Sequence, residues 1–544
     1  MYPSYSRDLL QCLEQLNRIG IALSRERDTP KLLETILIAA KRLLNADAGT
    51  LYLLDKDEQR LRFEVLRNDS LQLYLGGTTG AAVPFDPIPL YDPADQPNTG
   101  MVVTYAVLHD TTVMVDDAYA DQHFDFSGTH RFDQHTGYRS RSFLTVPMKD
   151  HEEEIIGAFQ LINALDPETG QVRTFSPADR QLAESLASQA AIALTNHQLI
   201  RQLQQLFESL IELINTAIDH KSPYTGAHCQ RVPILTMMIA EAARRCERGR
   251  LKAFRPTAEE LYELKIAGLL HDCGKITTPV HVVDKATKLQ TLFDRIELVD
   301  TRGEVLRRDL EIELLKAKLA AVECGDRAAI PQLEQQFSAR LAKLEEDREH
   351  LRRCNSGSEF MRPEDQARVG QIATRRWVGP DGQARNFLSE EEIDNLCIAK
   401  GTLNPAERAI IEEHVALTLR MLNALPWPKS LHNVPEYAGS HHETLDGGGY
   451  HRGLREQDLS IQARIICLAD VFEALTARDR PYKPGKPLSE VLDILGRMVR
   501  DRQIDPDLFE VFVREGVWLN YARQYLQPEQ IDMVDLNQIP EYTH

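Results

Sequence analysis

Residues 268–275 read GLLHDCGK: a His271–Asp272 pair at the end of an apolar run, followed by Gly274 and Lys275. Leu261, Leu264 and Gly268 precede His271 at helical spacing, which puts the pair on the buried face of a helix. One such His is most simply a hydrogen-bonded core residue, but a buried Asp without a partner is costly. Residues of the same kind recur in both directions. Upstream is TGAHCQRV, with His228 and Arg231; downstream are EEHV (His414), HHETLDGGGY (His441, His442, Glu443, Asp446) and LADVFEAL (Asp470, Glu473). The helix of His414 opens on Asn404 as N-cap, with Pro405 first and Glu407 third, and Ile410, His414, Leu417 and Met421 share one face. Asp470 and Glu473 continue the face begun by Ile466. Imidazoles and carboxylates on five apolar helix faces need a common counter-ion, and divalent metal answers that need. The mixed ligand set suits iron, manganese or zinc better than calcium.

The rest of the chain restricts what such a centre could serve. With 544 residues it is too long for one core and divides into two or three domains. A net charge of -19 repels polynucleotide backbones and anionic lipid, so a small anionic ligand would need a local cation source. No CxxC pair occurs among Cys12, Cys229, Cys246, Cys273, Cys324, Cys354, Cys397 and Cys467, which predicts free thiols in a reducing compartment. No long apolar run and no basic-then-apolar start occurs, so neither a membrane span nor a secretory signal is expected, and a cytoplasmic location is.

Residues 1–45 read as helix, and strands are expected at 50–54, 61–66, 112–115, 143–148 and 155–162, the pattern of an α+β sensor-type domain. Ser176, Pro177 and Asp179 open a helix that meets no proline or glycine until Pro223. Along it Leu199, Leu203, Leu206, Leu210 and Leu213 follow a 4-3-4-3 spacing, either a parallel dimer seam or the inner face of an ordinary amphipathic helix. From 215 onward the pattern is helical, interrupted by a charged insertion at about 290–400. Within it a helical hairpin is expected at 303–352, with Leu333, Phe337, Leu341, Leu344 and Leu351 striping its second arm, then loop at 353–386. Residues after about 525 read as a weakly ordered tail.

The ordered set TGAHCQRV, HDCGK, a later helix His, HHETLDGGGY and LADVFEALTARDRPYK resembles the HD-GYP branch of the HD phosphohydrolases over about 205–290 and 395–515. The resemblance implies an all-helical domain around a two- or three-metal site that hydrolyses cyclic di-GMP or a related cyclic dinucleotide to linear products. It implies metal ligation by His228, His271, Asp272, His414, His441, His442 and Asp470, with Asp272 bridging two ions, iron or manganese foremost. Lys275 would hold substrate phosphate, and Tyr450, Arg480 and Lys483 would face the nucleotide. Departures are visible. Gly449-Tyr450-His451 replaces the family's Gly-Tyr-Pro, and Glu473, a further ligand candidate, replaces an Asp. Tyr224 stands where three-metal members carry Glu, which favours two metals. Rival readings are a cyclic-dinucleotide sensor without turnover, an HD phosphohydrolase for another nucleotide, and a structural adaptor.

The N-terminal part, through DAGTLYLLD (47–55), TGYRSRSFLTVPM (136–148), IIGAFQLIN (155–163) and FSPAD (175–179), resembles a GAF domain of the subset in cyclic-nucleotide-regulated enzymes. Asn163, Phe175 and Asp179 match that subset's ligand signature, while Ala164 and Arg180 depart from it. The resemblance implies a small-molecule pocket, and a cap role for Asp179 needs no ligand. Together the readings predict a GAF-like domain at 1–190, a connecting helix at 180–220 and an HD-GYP-like domain at 205–525 carrying the insertion, assembled as a homodimer.

Overall fold

The computed structural model describes residues 3–221, 223–357, 360–478 and 485–542. The chain divides into two compact units, Met1–Phe207 and Glu208–His544.

In the first unit, α1 (Pro3–Arg25) and α2 (Thr29–Leu43) replace the single expected helix. The break falls before Asp28, whose side chain accepts from the Lys31 amide as the N-cap of α2. Strands β1 (Ala46–Asp55), β2 (Arg60–Asn68), β3 (Leu73–Gly76) and β4 (Ile88–Pro89) follow, then α3 (Val102–Leu108), β5 (Val113–Val115), α4 (Ser127–Thr136), β6 (Phe143–Lys149), β7 (Ile155–Leu165) and β8 (Val172–Arg173). They form one antiparallel sheet in the order β3-β2-β1-β7-β6-β5, with β4 beside β2 and β8 beside β7. The five expected strands are all present. The short β3, β4 and β8 carry too few residues to show a period. Leu32, Ile36, Leu37 and Ala40 of α2 pack with Leu51, Val146, Phe159 and Leu161 of the sheet, and Leu186 and Ala190 of α5 (Pro177–Lys221) join that core.

The helix α5 is unbroken for 45 residues. Its start is a reciprocal cap, in which the Asp179 amide donates to Ser176 Oγ (3.1 Å) and the Ser176 amide donates to Asp179 Oδ2 (2.8 Å). The leucines 199, 203, 206, 210 and 213 are 48–67% exposed, so they do not form the inner face of a helix packed on its own chain.

The second unit is helical: α6 (Pro223–Arg245), α7 (Ala258–Leu270), α8 (Val280–Val283), α9 (Ile296–Glu323), α10 (Ile330–Asn355), α11 (Pro363–Ala373), α12 (Glu390–Leu396), α13 (Pro405–Asn423), α14 (Val434–Gly439), α15 (Ile461–Thr476), α16 (Leu488–Arg500), α17 (Pro506–Arg514) and α18 (Val517–Tyr525). The insertion contains the expected hairpin, α9 and α10. The stretch expected as loop instead holds α11 and a two-stranded ribbon, β9 (Arg376–Val378) with β10 (Ala384–Asn386). Its prolines and glycines misled, because Pro363 occupies the first turn of α11, where no amide is needed, and Gly379 and Gly382 lie in the ribbon turn. The insertion has its own core of Leu289, Val299, Leu351, Val369, Ile372, Phe387 and Leu396. The tail is also packed: Ile539 is buried, Gln530 donates to the Thr476 carbonyl (2.8 Å), and a Cβ on Gly496 would fall 2.4 Å from the Pro540 carbonyl. Among the described residues no helix is long and apolar enough to cross a membrane.

Candidate metal centre

Five helical segments deliver the site, each for a local reason. A capping box of Thr257 and Glu260 starts α7, and the helix ends at His271, which is fully buried. Asp272 then leads into the tight turn Cys273–Thr277. The glycine in this turn is obligatory: a Cβ on Gly274 would sit 2.1 Å from the His414 carbonyl and 2.7 Å from the Thr418 amide. The Gly274 amide donates instead to Thr418 Oγ1 (2.9 Å), so the turn lies directly on α13. The Asn404–Glu407 capping box opens α13 as expected, but its buried face is His414, Val415, Thr418 and Leu422. Ile410 and Met421, expected beside His414, are exposed. His441 and His442 follow α14, and His228 and Asp470 come from α6 and α15.

These side chains converge. His228, His271 and Asp272 form one triad and His414, His441 and His442 another, each with its candidate ligand atoms within 4.8 Å of one another. Asp272 faces both: Oδ2 lies 3.5 Å from His228 Nε2 and 3.4 Å from His271 Nε2, while Oδ1 lies 3.2 Å from His414 Nε2 and 3.8 Å from His441 Nε2. Asp470 Oδ1 is 3.0 Å from His228 Nε2, and Oδ2 is 3.8 Å from His442 Nδ1.

The outer nitrogens settle the tautomers. The Nδ1–H of His271 donates to the Gly268 carbonyl (2.8 Å), that of His441 to Ala438 (2.6 Å), and that of His414 to Ile411. A carbonyl only accepts, so each Nδ1 carries a proton, and in the neutral imidazole each Nε2 keeps its lone pair. Those three Nε2 atoms and Asp272 Oδ1 are buried without a hydrogen-bond partner among the described residues. Four lone-pair donors left unmatched and aimed at one another fit a divalent cation, because such burial is otherwise costly.

The electrostatics agree. Burial holds the His441 imidazole well below its usual range, and burial pushes His442 down to about 4. Both are therefore neutral near pH 7, the form that coordinates metal. Burial resists charge on His228, but Glu473, Asp272 and Asp470 raise its proton affinity well above the ordinary value. Burial also resists ionisation of Asp272, and Lys275 and the surrounding histidines overcome it and hold its carboxyl well below the usual range.

Lys275 Nζ lies 2.5 Å from Asp272 Oδ2. Glu473 lies behind the cluster: one oxygen accepts from His228 Nδ1 and the other from Arg231 Nε (2.6 Å), which orients His228. Tyr450 stacks on His442 with ring centroids 4.8 Å apart. Its loop is held by Glu443, which accepts from the amides of Arg452 (2.8 Å) and Leu454 (2.9 Å), and by Gly449, where a Cβ would fall 2.5 Å from the His442 carbonyl. Arg480 and Lys483 lie outside the described residues, as does the side chain of Tyr224. Sequence reasoning missed Lys285, whose buried Nζ is 2.7 Å from Glu407 at the start of α13. No sequence signal pairs it with Glu407, which lies across the insertion 122 residues away.

In the first unit the three signature residues serve the fold. Asn163 Oδ1 accepts from the Arg141 amide (2.8 Å), and its Nδ2 donates to the Arg139 carbonyl (2.8 Å) and Tyr138 Oη (2.9 Å). Phe175 is core, and Asp179 caps α5 and pairs with Arg173 (2.6 Å).

A GAF domain family model matches residues 28–194, and two HD domain models match residues 225–350 and 391–508. The chain carries a GAF domain and an HD domain. The two HD matches bracket His228, His271 and Asp272 on one side and His414, His441, His442 and Asp470 on the other. The chain is similar to 3'3'-cGAMP-specific phosphodiesterase 1 of Vibrio cholerae, 39% identical over 130 residues, covering 23% of this chain and 27% of that protein. It is similar also to a cyclic di-GMP phosphodiesterase of Thermotoga maritima, 35% identical over 121 residues, covering 22% and 32%. The chain thus spans about a quarter to a third of the length of these curated relatives. Among solved structures, the GAF domain from an Acinetobacter phosphoenolpyruvate-protein phosphotransferase aligns at 17% identity and TM-score 0.26, covering 35% of this chain and 98% of that one.

Proposed function

We propose that the HD domain is a metal-dependent phosphodiesterase that hydrolyses cyclic di-GMP or a related cyclic dinucleotide to linear products, under control of the GAF domain. The observation that carries this reading is the set of unmatched Nε2 atoms of His271, His414 and His441 converging on the Asp272 carboxylate, the first at Oδ2 and the other two at Oδ1. The names of the relatives supply the substrate class.

Two divalent ions, iron or manganese, would be held by His228, His271, Asp272, His414, His441, His442 and Asp470, with the two oxygens of Asp272 divided between the two triads. When bound, such ions supply a nucleophile at neutral pH and charge stabilisation at phosphorus. Lys275, a point charge beside Asp272, holds a non-bridging phosphate oxygen and neutralises charge as the leaving oxygen departs. Tyr450, already stacked on His442, presents an aromatic wall to a base.

We assign residues 1–190 to the sensor, 180–220 to the connecting helix, and 205–525 to the phosphohydrolase with its insertion at about 290–400. The exposed leucines of α5 support a homodimer paired along that helix. Leu206→Glu with Leu210→Glu is expected to convert a dimer to monomer in light scattering.

The deciding experiment measures metal by mass spectrometry and cyclic di-GMP and cGAMP turnover with iron or manganese supplied. About two metals per chain with turnover, both lost in a His271→Ala, Asp272→Ala variant, is the expected result. Metal without turnover of either dinucleotide would overturn the substrate, and no metal after reconstitution would overturn the site.

A further inference from the structure

The last four turns of α5 belong to the second unit, and one face of them is buried through Ile211, Asn215 and Ile218. Its polar groups reach a specific kind of atom. Asn215 Nδ2 donates to the Leu269 carbonyl (3.1 Å), one of the terminal carbonyls that α7 cannot pair within itself. Lys221 Nζ donates to the carbonyl of Ile276 and lies 3.4 Å from that of Lys275, which also accepts from the Thr278 amide (3.1 Å). Glu208 adds an ion pair to Lys265 of α7 (3.3 Å). The backbone on either side of His271, Asp272 and Lys275 is therefore pinned by α5 side chains. On the other side Gly274 rests on α13, with no room for a side chain.

We propose that Asn215 and Lys221 are positioning residues: they complete the carbonyls flanking the His271–Lys275 segment and so set the place of Lys275 from the far end of the helix that leaves the GAF domain. Neither touches the candidate ligand atoms. Rotation or axial shift of α5 would withdraw both donors together and free the turn Cys273–Thr277. Lys221 suits the task because an ammonium serves two carbonyls at the end of a short helical turn and opposes the local dipole. The kinetic part of this inference rests on the phosphodiesterase reading, and the backbone part does not.

The test uses the full chain with Lys221→Met, Lys221→Arg and Asn215→Leu. Amide hydrogen exchange of residues 273–278, in metal-free protein, is expected to quicken about fivefold in Lys221→Met, as for one lost hydrogen bond. Exchange in α16, remote in sequence, is expected to stay unchanged, and Lys221→Arg to restore protection. With metal loaded to the wild-type level, kcat/KM for cyclic di-GMP falls in Lys221→Met, and adding it to Lys275→Met causes no further loss. Unchanged exchange at 273–278 in both Lys221→Met and Asn215→Leu overturns the proposal. So does failure of Lys221→Arg to restore protection, or a full additional loss in the double variant. If wild-type protein turns over neither dinucleotide, the exchange result decides alone.

Discussion

The GAF domain and the HD domain both contain residues that match a family signature, and they use them in opposite ways. Around Asn163 and Asp179 every quoted polar contact closes within the domain, through backbone amides, a tyrosine hydroxyl and an arginine. Around Asp272 the outer nitrogens are satisfied and the inner lone pairs are not. Residue identity is equally suggestive in the two places; the direction of the unpaired atoms separates them. A satisfied polar residue explains itself by the hydrogen bonds it makes, and a convergent set of unsatisfied ones requires a further charge.

Four measurements bear on this difference between the domains. Asp272→Asn removes the carboxylate that lies closest to both triads, so metal content and turnover should both fall to background, read by mass spectrometry and product chromatography. Retained metal would show that the histidines suffice. Glu473→Gln leaves the cluster intact but weakens the orientation of His228, and metal affinity is expected to drop about 10- to 100-fold in a competition titration. The third point is acid stability of metal-free protein. His442 titrates near 6.5 when unfolded and at about 4 when folded, so between those values only the unfolded chain gains the proton. Stability attributable to a neutral His442 is complete above about 6.5 and is lost as pH falls toward 4, by about 3 kcal/mol. His442→Gln should flatten that slope in urea titrations at pH 7 and pH 4.5. The smallest effect is Asn163→Ala, expected to destabilise the GAF domain by about 2 kcal/mol in thermal unfolding, for the loss of its braces. Near-zero destabilisation would return Asn163 to the role of a free ligand-binding side chain.

The helix starts of α5 and α13 were legible because caps act over four residues: Ser176 with Asp179 and Asn404 with Glu407 state their own geometry. The long sheet strands were legible from alternation. The inner face of α13 was not, because Ile410 and Met421 look apolar yet are exposed, while Thr418 is buried to receive the Gly274 amide. That choice depends on a turn some 140 residues away. Residues 363–386 were misread since proline marks both the end of one element and the first turn of another. The convergence of His228, His271 and Asp272, and of His414, His441 and His442, was legible from the motifs as a set. The position of Glu473 behind His228 was not, because spacing along α15 puts it on the same face as Asp470 and cannot say how far a longer arm reaches.

The insertion separates Asp272 from His414 by more than a hundred residues of chain, yet its ends are tied at two nested points. The Lys288 amide donates to the Asn355 carbonyl (2.9 Å), and outside that Lys285 pairs with Glu407 (2.7 Å) while its carbonyl accepts from Thr402 Oγ1 (2.9 Å). Once these ties form, the polymer joining the two halves of the centre behaves as a short loop, Cys273–Asp284 and Arg408–Glu413. Because closure entropy grows only with the logarithm of length, the shortening reduces the cost of bringing the halves together by about 2 kcal/mol. A folded insertion is in this sense a splint, holding the two halves of the centre within reach of each other.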